Sequence, residues 1–276
     1  MLPLVVAILL QTRFAAPDAA LATAALASPR PRECRGVAGA DGLWSRLQAA
    51  ESQRYCELLA RGYARLQEAP SEALSAAQAA QALAGSRPAV RVLTGRALTL
   101  LDQTELAFSQ FAQAEAQDPQ AFVDPKALHD YARAASLSGK SADAVRLYRL
   151  LASRIALLDD AREAAFVQIE AAAHVLASTP GSATTDEALG YLAQARREAL
   201  GLSVWLDGLR LVALQRSGRA EPNAARAPAP TLAALDAALA APSSAARNSV
   251  PLLPPGMLEA VRGAFAVPPP RKGTAR

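Results

Sequence analysis

An all-α fold is predicted from three features of the 276-residue sequence. About a quarter of the residues are alanine, the best helix former. Aromatic residues make up only 5% of the chain and β-branched runs are scarce, which disfavours strands. Apolar residues recur at helical spacing in blocks punctuated by Gly, Pro and Asp. A hydrophobic content of 51% excludes general disorder, and the length suits one large or two ordinary domains.

The first element is LPLVVAILL, residues 2–10, followed by small residues that end in Ala25-Leu26-Ala27. An apolar stretch before such a site looks like a secretory signal, so residues 1–27 are expected to direct export to a periplasmic or secreted location, although a positive leader is absent. Nine apolar residues are too few to span about 30 Å of hydrocarbon. Left uncleaved, residues 2–10 would act as a membrane tether instead.

Residues 28–40 form a lead segment containing Cys34, and the only other cysteine is Cys56. Two cysteines in an exported chain suggest one disulfide, stabilising the fold by roughly 3 kcal/mol. The alternative is a pair of buried free thiols. With no nearby histidine they cannot supply four ligands, so no metal site is expected.

The helical domain is expected over residues 41–217. Its first helix begins at Asp41 and carries Trp44, Leu47, Tyr55, Leu58, Leu59 and Leu66 on one face, stopping near Glu68. Ala69-Pro70-Ser71 breaks the chain, and a second helix follows, ended by Gly85 and Pro88. The next pair spans residues 89–116 with a turn at Asp102 to Thr104. Asp124 caps a third pair with Pro125 at its first position, and Gly139-Lys140-Ser141 turns it. A fourth pair is expected over Asp159 to Ser178 and Asp186 to Leu200, with TPGSATT as a long loop between them. One more helix covers residues 202–215.

Residues 218–276 change character: EPNAARAPAP reads as a linker, TLAALDAALA as a short helix, and PLLPPG and VPPPRKGTAR as polyproline-like. MLEAVRGAFA, residues 257–266, is a candidate last docked helix in a tail otherwise expected to be poorly ordered.

Aligned by their turns, the second and third pairs match at a constant offset of 37 residues. Gly95 falls on Ala132, Leu98 on Ala135, Asp102 on Gly139, Ala107 on Ala144, Phe111 on Tyr148 and Ala114 on Leu151. Gly95, Leu98, Ala107, Phe111, Ala114 and Pro119 meet the pattern of the tetratricopeptide repeat, whose unit is about 34 residues. The stretch from Tyr55 to Leu200 thus resembles that family, most closely in its middle two units. The resemblance implies an α-solenoid of antiparallel helix pairs whose first helices line a concave groove. In it, the groove-facing positions fall on Val92, Arg96, Thr99, Lys126, His129, Arg133 and Ser136. Arg96, Lys126 and Arg133 would suit a carboxylate or an acidic peptide.

Signals for catalysis are absent. His129 and His174 lie on different expected helices outside any metal-binding spacing, no phosphate loop or nucleophile elbow occurs, and Asp159-Asp160 reads as a helix cap. No cofactor is expected. The net charge of +4 comes mostly from the Pro-rich tail, and no basic face interleaves with aromatics, so nucleic acid is not an expected partner. The function expected is that of a non-enzymatic, exported scaffold for a protein or peptide, with a role in assembling a cell-envelope complex. The alternative is an enzyme or small-ligand protein on an irregular helical bundle, with a deep pocket lined by His129 or His174 and a carboxylate.

Overall fold

The computed structural model describes residues 31–34, 43–178, 181–195, 202–219 and 250–266. The expected signal, the candidate helix at residues 231–240 and the final prolines lie outside them.

Among the described residues there are ten α-helices and no strand. They are α1 (Leu43–Arg65), α2 (Pro70–Ala84), α3 (Pro88–Leu100), α4 (Thr104–Gln117) and α5 (Pro125–Leu137). Then follow α6 (Ser141–Ala152), α7 (Ala161–Ser178), α8 (Ser182–Ala195), α9 (Ser203–Arg216) and α10 (Met257–Ala266). Pro70, Pro88 and Pro125 each stand in the first turn of their helix, where the missing N–H has no intrahelical role to lose. The Asp124 side chain accepts from the Lys126 amide at 2.9 Å, and Asp160 from the Arg162 amide at 2.8 Å. Both are the caps expected from sequence.

The fourth pair differs from expectation. Its second helix starts at Ser182 rather than Asp186, so SATT forms the first turn of α8 rather than part of the inter-helix loop. Thr185 reaches back to the Gly181 carbonyl at 2.9 Å through its hydroxyl, a local bond that lets threonine sit in a helical first turn.

Each helix packs on its neighbours in sequence, and from α1 to α7 short connections make successive helices antiparallel. The odd-numbered helices also pack on one another, α1 on α3, α3 on α5 and α7 on α9, and so form an inner layer. Two forked ion pairs tie the even-numbered helices of the outer layer. Arg146 of α6 grips Glu115 of α4 at 2.7 and 2.8 Å, and Arg149 of α6 grips Glu187 of α8 at 2.8 Å through both nitrogens. The chain is therefore an array of helix pairs, compatible with a helical repeat.

The 37-residue offset reappears in the backbone. Gln103 N–H bonds the Leu98 carbonyl at 2.9 Å, and Lys140 N–H bonds the Ala135 carbonyl at 2.8 Å. These are the long-range bonds of a Schellman turn, which needs a left-handed residue at its corner. At the matched packing positions, Gly95 leaves room for the Phe111 ring, since a Cβ there would lie 2.7 Å from a ring carbon. Phe111 and Tyr148 are fully buried, each between successive pairs.

The apolar core runs the length of the array as three adjoining clusters: one in α1–α3, one from α3 to α7, and one from α6 to α10. Cys34 and Cys56 form the expected disulfide, with Cα atoms 5.7 Å apart. It ties the lead segment to α1 and holds Glu33 in place. One Glu33 oxygen accepts from the Tyr55 hydroxyl at 2.7 Å and the other from the Ala89 amide at 3.1 Å. Glu33 thus caps α3, whose own preceding residue, Arg87, makes no side-chain cap.

At the other end, Met257, Val261 and Ala264 of α10 are buried in the cluster with α9. The candidate last helix is docked, and the segment from Val250 to Pro254 leads into it over α7.

Candidate functional site

A cleft of about 400 Å³ opens on the inner layer. Gln67 follows α1, Thr99 and Leu100 end α3, His129, Asp130 and Arg133 lie on α5, and Arg162, Glu163 and Phe166, with the capping Asp160, open α7. The end of α3, one face of α5 and the start of α7 thus meet around one space.

Of the groove positions implied by the repeat resemblance, Thr99, His129 and Arg133 line this cleft together. Arg96 lies beneath it, 7% exposed, bonded to Asp130 at 2.7 Å and Asp124 at 3.2 Å and packed over the Tyr63 ring. Burial works against its charge, but Asp130 and Asp124 outweigh that and keep it firmly protonated. Lys126 is outside the cleft lining, 3.9 Å from Glu163, which lines it. Val92 packs in the core rather than at the groove, and Ser136 bonds His174 behind it. All three basic side chains therefore already face carboxylates of the chain itself.

Glu170 organises the wall. It is fully buried in α7 and both oxygens are occupied. His129 Nε2 donates to Oε2 at 2.6 Å and the Tyr148 hydroxyl donates to it at 3.0 Å. Arg133 donates to Oε1 at 2.7 Å and the Leu252 amide donates to it at 2.6 Å. Burial pushes the carboxyl up, yet the charges of Arg133 and His129, the His129 bond and the Leu252 amide together hold it down to about 2. The Tyr148 hydroxyl is raised by burial and by the adjoining carboxylate.

His174, one turn beyond Glu170, completes the set. Its Nδ1 lies 2.8 Å from the Glu170 backbone carbonyl, which can only accept, so Nδ1 carries the proton. Burial lowers its pKa and keeps the ring neutral, so Nε2 accepts from the Ser136 hydroxyl at 2.7 Å. The ring also stacks on Tyr148, centroids 4.5 Å apart. Polar side chains from α5 and α6 thus converge on one turn of α7, and each is satisfied by another.

The cleft itself is mixed in charge. Asp130, Asp160 and Glu163 stand beside Arg133 and Arg162. Burial raises the Glu163 carboxyl, with Asp130 and Asp160 adding to the effect against Lys126 and His129.

The sequence reading did not single out Glu170. The signal was present: one acid stands inside AAFVQIEAAAHVL, a mostly apolar segment, and a charge there must be paired. What no spacing revealed is that its partners lie 41 and 37 residues upstream.

Among the described residues no helix is long and apolar enough to cross a membrane, and no group of His, Cys, Asp and Glu could hold a metal ion. No protein-family model matches the chain, and neither does any curated protein or solved structure.

Proposed function

We propose that the chain is an exported scaffold of the tetratricopeptide-repeat kind, which holds a segment of another protein in the cleft between α3, α5 and α7. The observation that carries this reading is the cleft's construction. It is lined by successive inner helices, the geometry by which a helical stack presents a rigid curved surface. Thr99, His129 and Arg133, three positions implied by the family resemblance, meet there. The Cys34–Cys56 disulfide is compatible with an oxidising compartment, which supports export and a place in the cell envelope. Acidic ligands would have to compete with Asp124, Asp130, Glu163 and Glu170 for the basic groups, so the partner need not be acidic.

Site-specific photo-crosslinking in the native cell tests the reading. Probes at Thr99 and Arg162 in the cleft should capture one protein that probes at Gln113 and Ala142, on the outer helices, do not. Capture from the outer positions alone would remove the cleft from the function. Mass spectrometry of the mature N-terminus tests export, and an intact Met1 would argue for the tethered form.

A second reading draws support from His129, which lines the cleft while its Nε2 is fixed on a buried carboxylate. A histidine held at one nitrogen is oriented to exchange protons at the other, as an enzyme or small-ligand site would need. A small molecule that raises the melting temperature of the wild-type chain, but not of a folded His129→Gln variant, would favour this reading. The absence of any such molecule in a broad metabolite screen would count against it.

A further inference from the structure

Phe166 lines the open cleft, while Glu170, four residues further along α7, is closed over by the chain itself. Its cover is Val250-Pro251-Leu252-Leu253-Pro254, a segment with neither helical nor strand structure. Pro251 and Pro254 are buried, and Val250 and Leu253 pack on the cluster formed by α7, α8 and α9. The Leu252 amide donates to Glu170 Oε1 at 2.6 Å. That oxygen is shared with Arg133, which also lines the cleft. The seat of the segment and the open cleft thus meet at one guanidinium.

This arrangement has the chemistry of a bound peptide. Prolines fix φ and carry no N–H, so the segment offers few backbone donors and comes preorganised. A charged acceptor takes one of those donors, and apolar pockets take side chains beside it. Resting on the scaffold reading above, we propose that residues 250–254 are a ligand carried in cis. The partner is then a protein bearing a similar proline-flanked leucine segment, which binds by replacing this one on Glu170 and continues past Arg133 into the open cleft.

Because the segment belongs to the same chain as its seat, its effective concentration there is on the order of millimolar. A free peptide therefore competes poorly against the wild-type chain, and weakening the internal segment should uncover the site. The test is fluorescence anisotropy with labelled SVPLLPPG, the sequence of residues 249–256, on the full-length protein. The Leu252→Pro variant, which lacks the internal donor, should bind the peptide at least about tenfold more tightly than wild type. A peptide N-methylated at its first leucine should bind that variant about tenfold more weakly, because the donor to Glu170 is gone.

If Leu252→Pro loses the wild-type helical circular dichroism, Leu253→Ala carries the same comparison, since it keeps every backbone group and loses only apolar burial. Equal binding of the methylated and unmethylated peptides, or binding to neither variant, overturns the proposal. Crosslinking of a partner from Thr99 and Arg162 in the same preparations would then leave the scaffold reading standing while this inference falls.

Discussion

Asp102 and Gly139 turn two successive helix pairs in the same left-handed conformation, at φ 59° and 69°. The position requires positive φ because the following amide reaches back to a carbonyl five residues earlier, Leu98 in one turn and Ala135 in the other. Glycine meets that need without strain, and aspartate is among the few other residues that tolerate it. No atom lies within 4 Å of a Cβ built on Gly139, so substitution there is a matter of backbone conformation alone. Gly139→Ala should cost about 1 kcal/mol in urea unfolding, and Gly139→Asp should cost less. Equal losses would mean the two turns are not equivalent.

Gly95 and Phe111 form a matched pair within one repeat. A methyl group on Gly95 would meet three Phe111 ring carbons at 2.7 to 2.9 Å, and Phe111 is fully buried. Gly95→Ala should therefore destabilise by about 1–3 kcal/mol. Combined with Phe111→Leu, the loss should be smaller than the sum of the two single losses, because the smaller side chain relieves the clash. Additive losses would show that the pair is not coupled.

Stability should fall in acid by two steps. His174 is held neutral below its ordinary range of about 6.5, so the unfolded chain takes up a proton first, and stability begins to drop as pH falls below 6.5. Glu170 is held down to about 2 against an ordinary 4.5. Its contribution is complete above 4.5 and is lost as pH falls from there toward 2, up to about 3 kcal/mol. Urea midpoints measured from pH 7 to pH 3 check both steps. His174→Gln should flatten the first and leave the second; an unchanged profile would place the sensitivity elsewhere.

Reduction of the Cys34–Cys56 bond releases a loop with a sequence separation of 22. The chain-entropy model assigns it roughly 3 kcal/mol, and the Glu33 cap on α3 depends on the same anchor. The paired substitution of both cysteines by serine should lower the melting temperature, and Glu33→Gln in the oxidised chain should reproduce a smaller part of that loss. A melting temperature insensitive to reductant would show that the lead segment is held by other means.

Helix boundaries were legible where local chemistry sets them. Pro125, Asp124 and Gly139 each perform in the structure the role their residue type suggests, whereas Pro88, expected to end the second helix, opens α3 instead. The start of α8 was misplaced because SATT carries the composition of a loop, while Thr185 bonds within the helix turn it opens. The cleft was only partly legible. The repeat resemblance placed Thr99, His129 and Arg133 on one face, but Val92 turned inward because α3 buries residues on most of its circumference. The docking of Val250–Pro254 had no signature in the sequence, since proline-rich composition describes the free segment and not the surface that receives it.

A stack of helix pairs can ordinarily fray from either end, because each unit touches only its neighbours. Here the Leu252 amide returns across 82 residues to α7, and α10 seals α9. This raises the sequence separation of native contacts and so slows folding relative to an open stack. It also joins α7, α9 and α10 into one cooperative unit for local opening. Amide hydrogens of α9 should then exchange together with those of α7 rather than ahead of them, leaving α1 and α2, closed by the disulfide, as a separate unit.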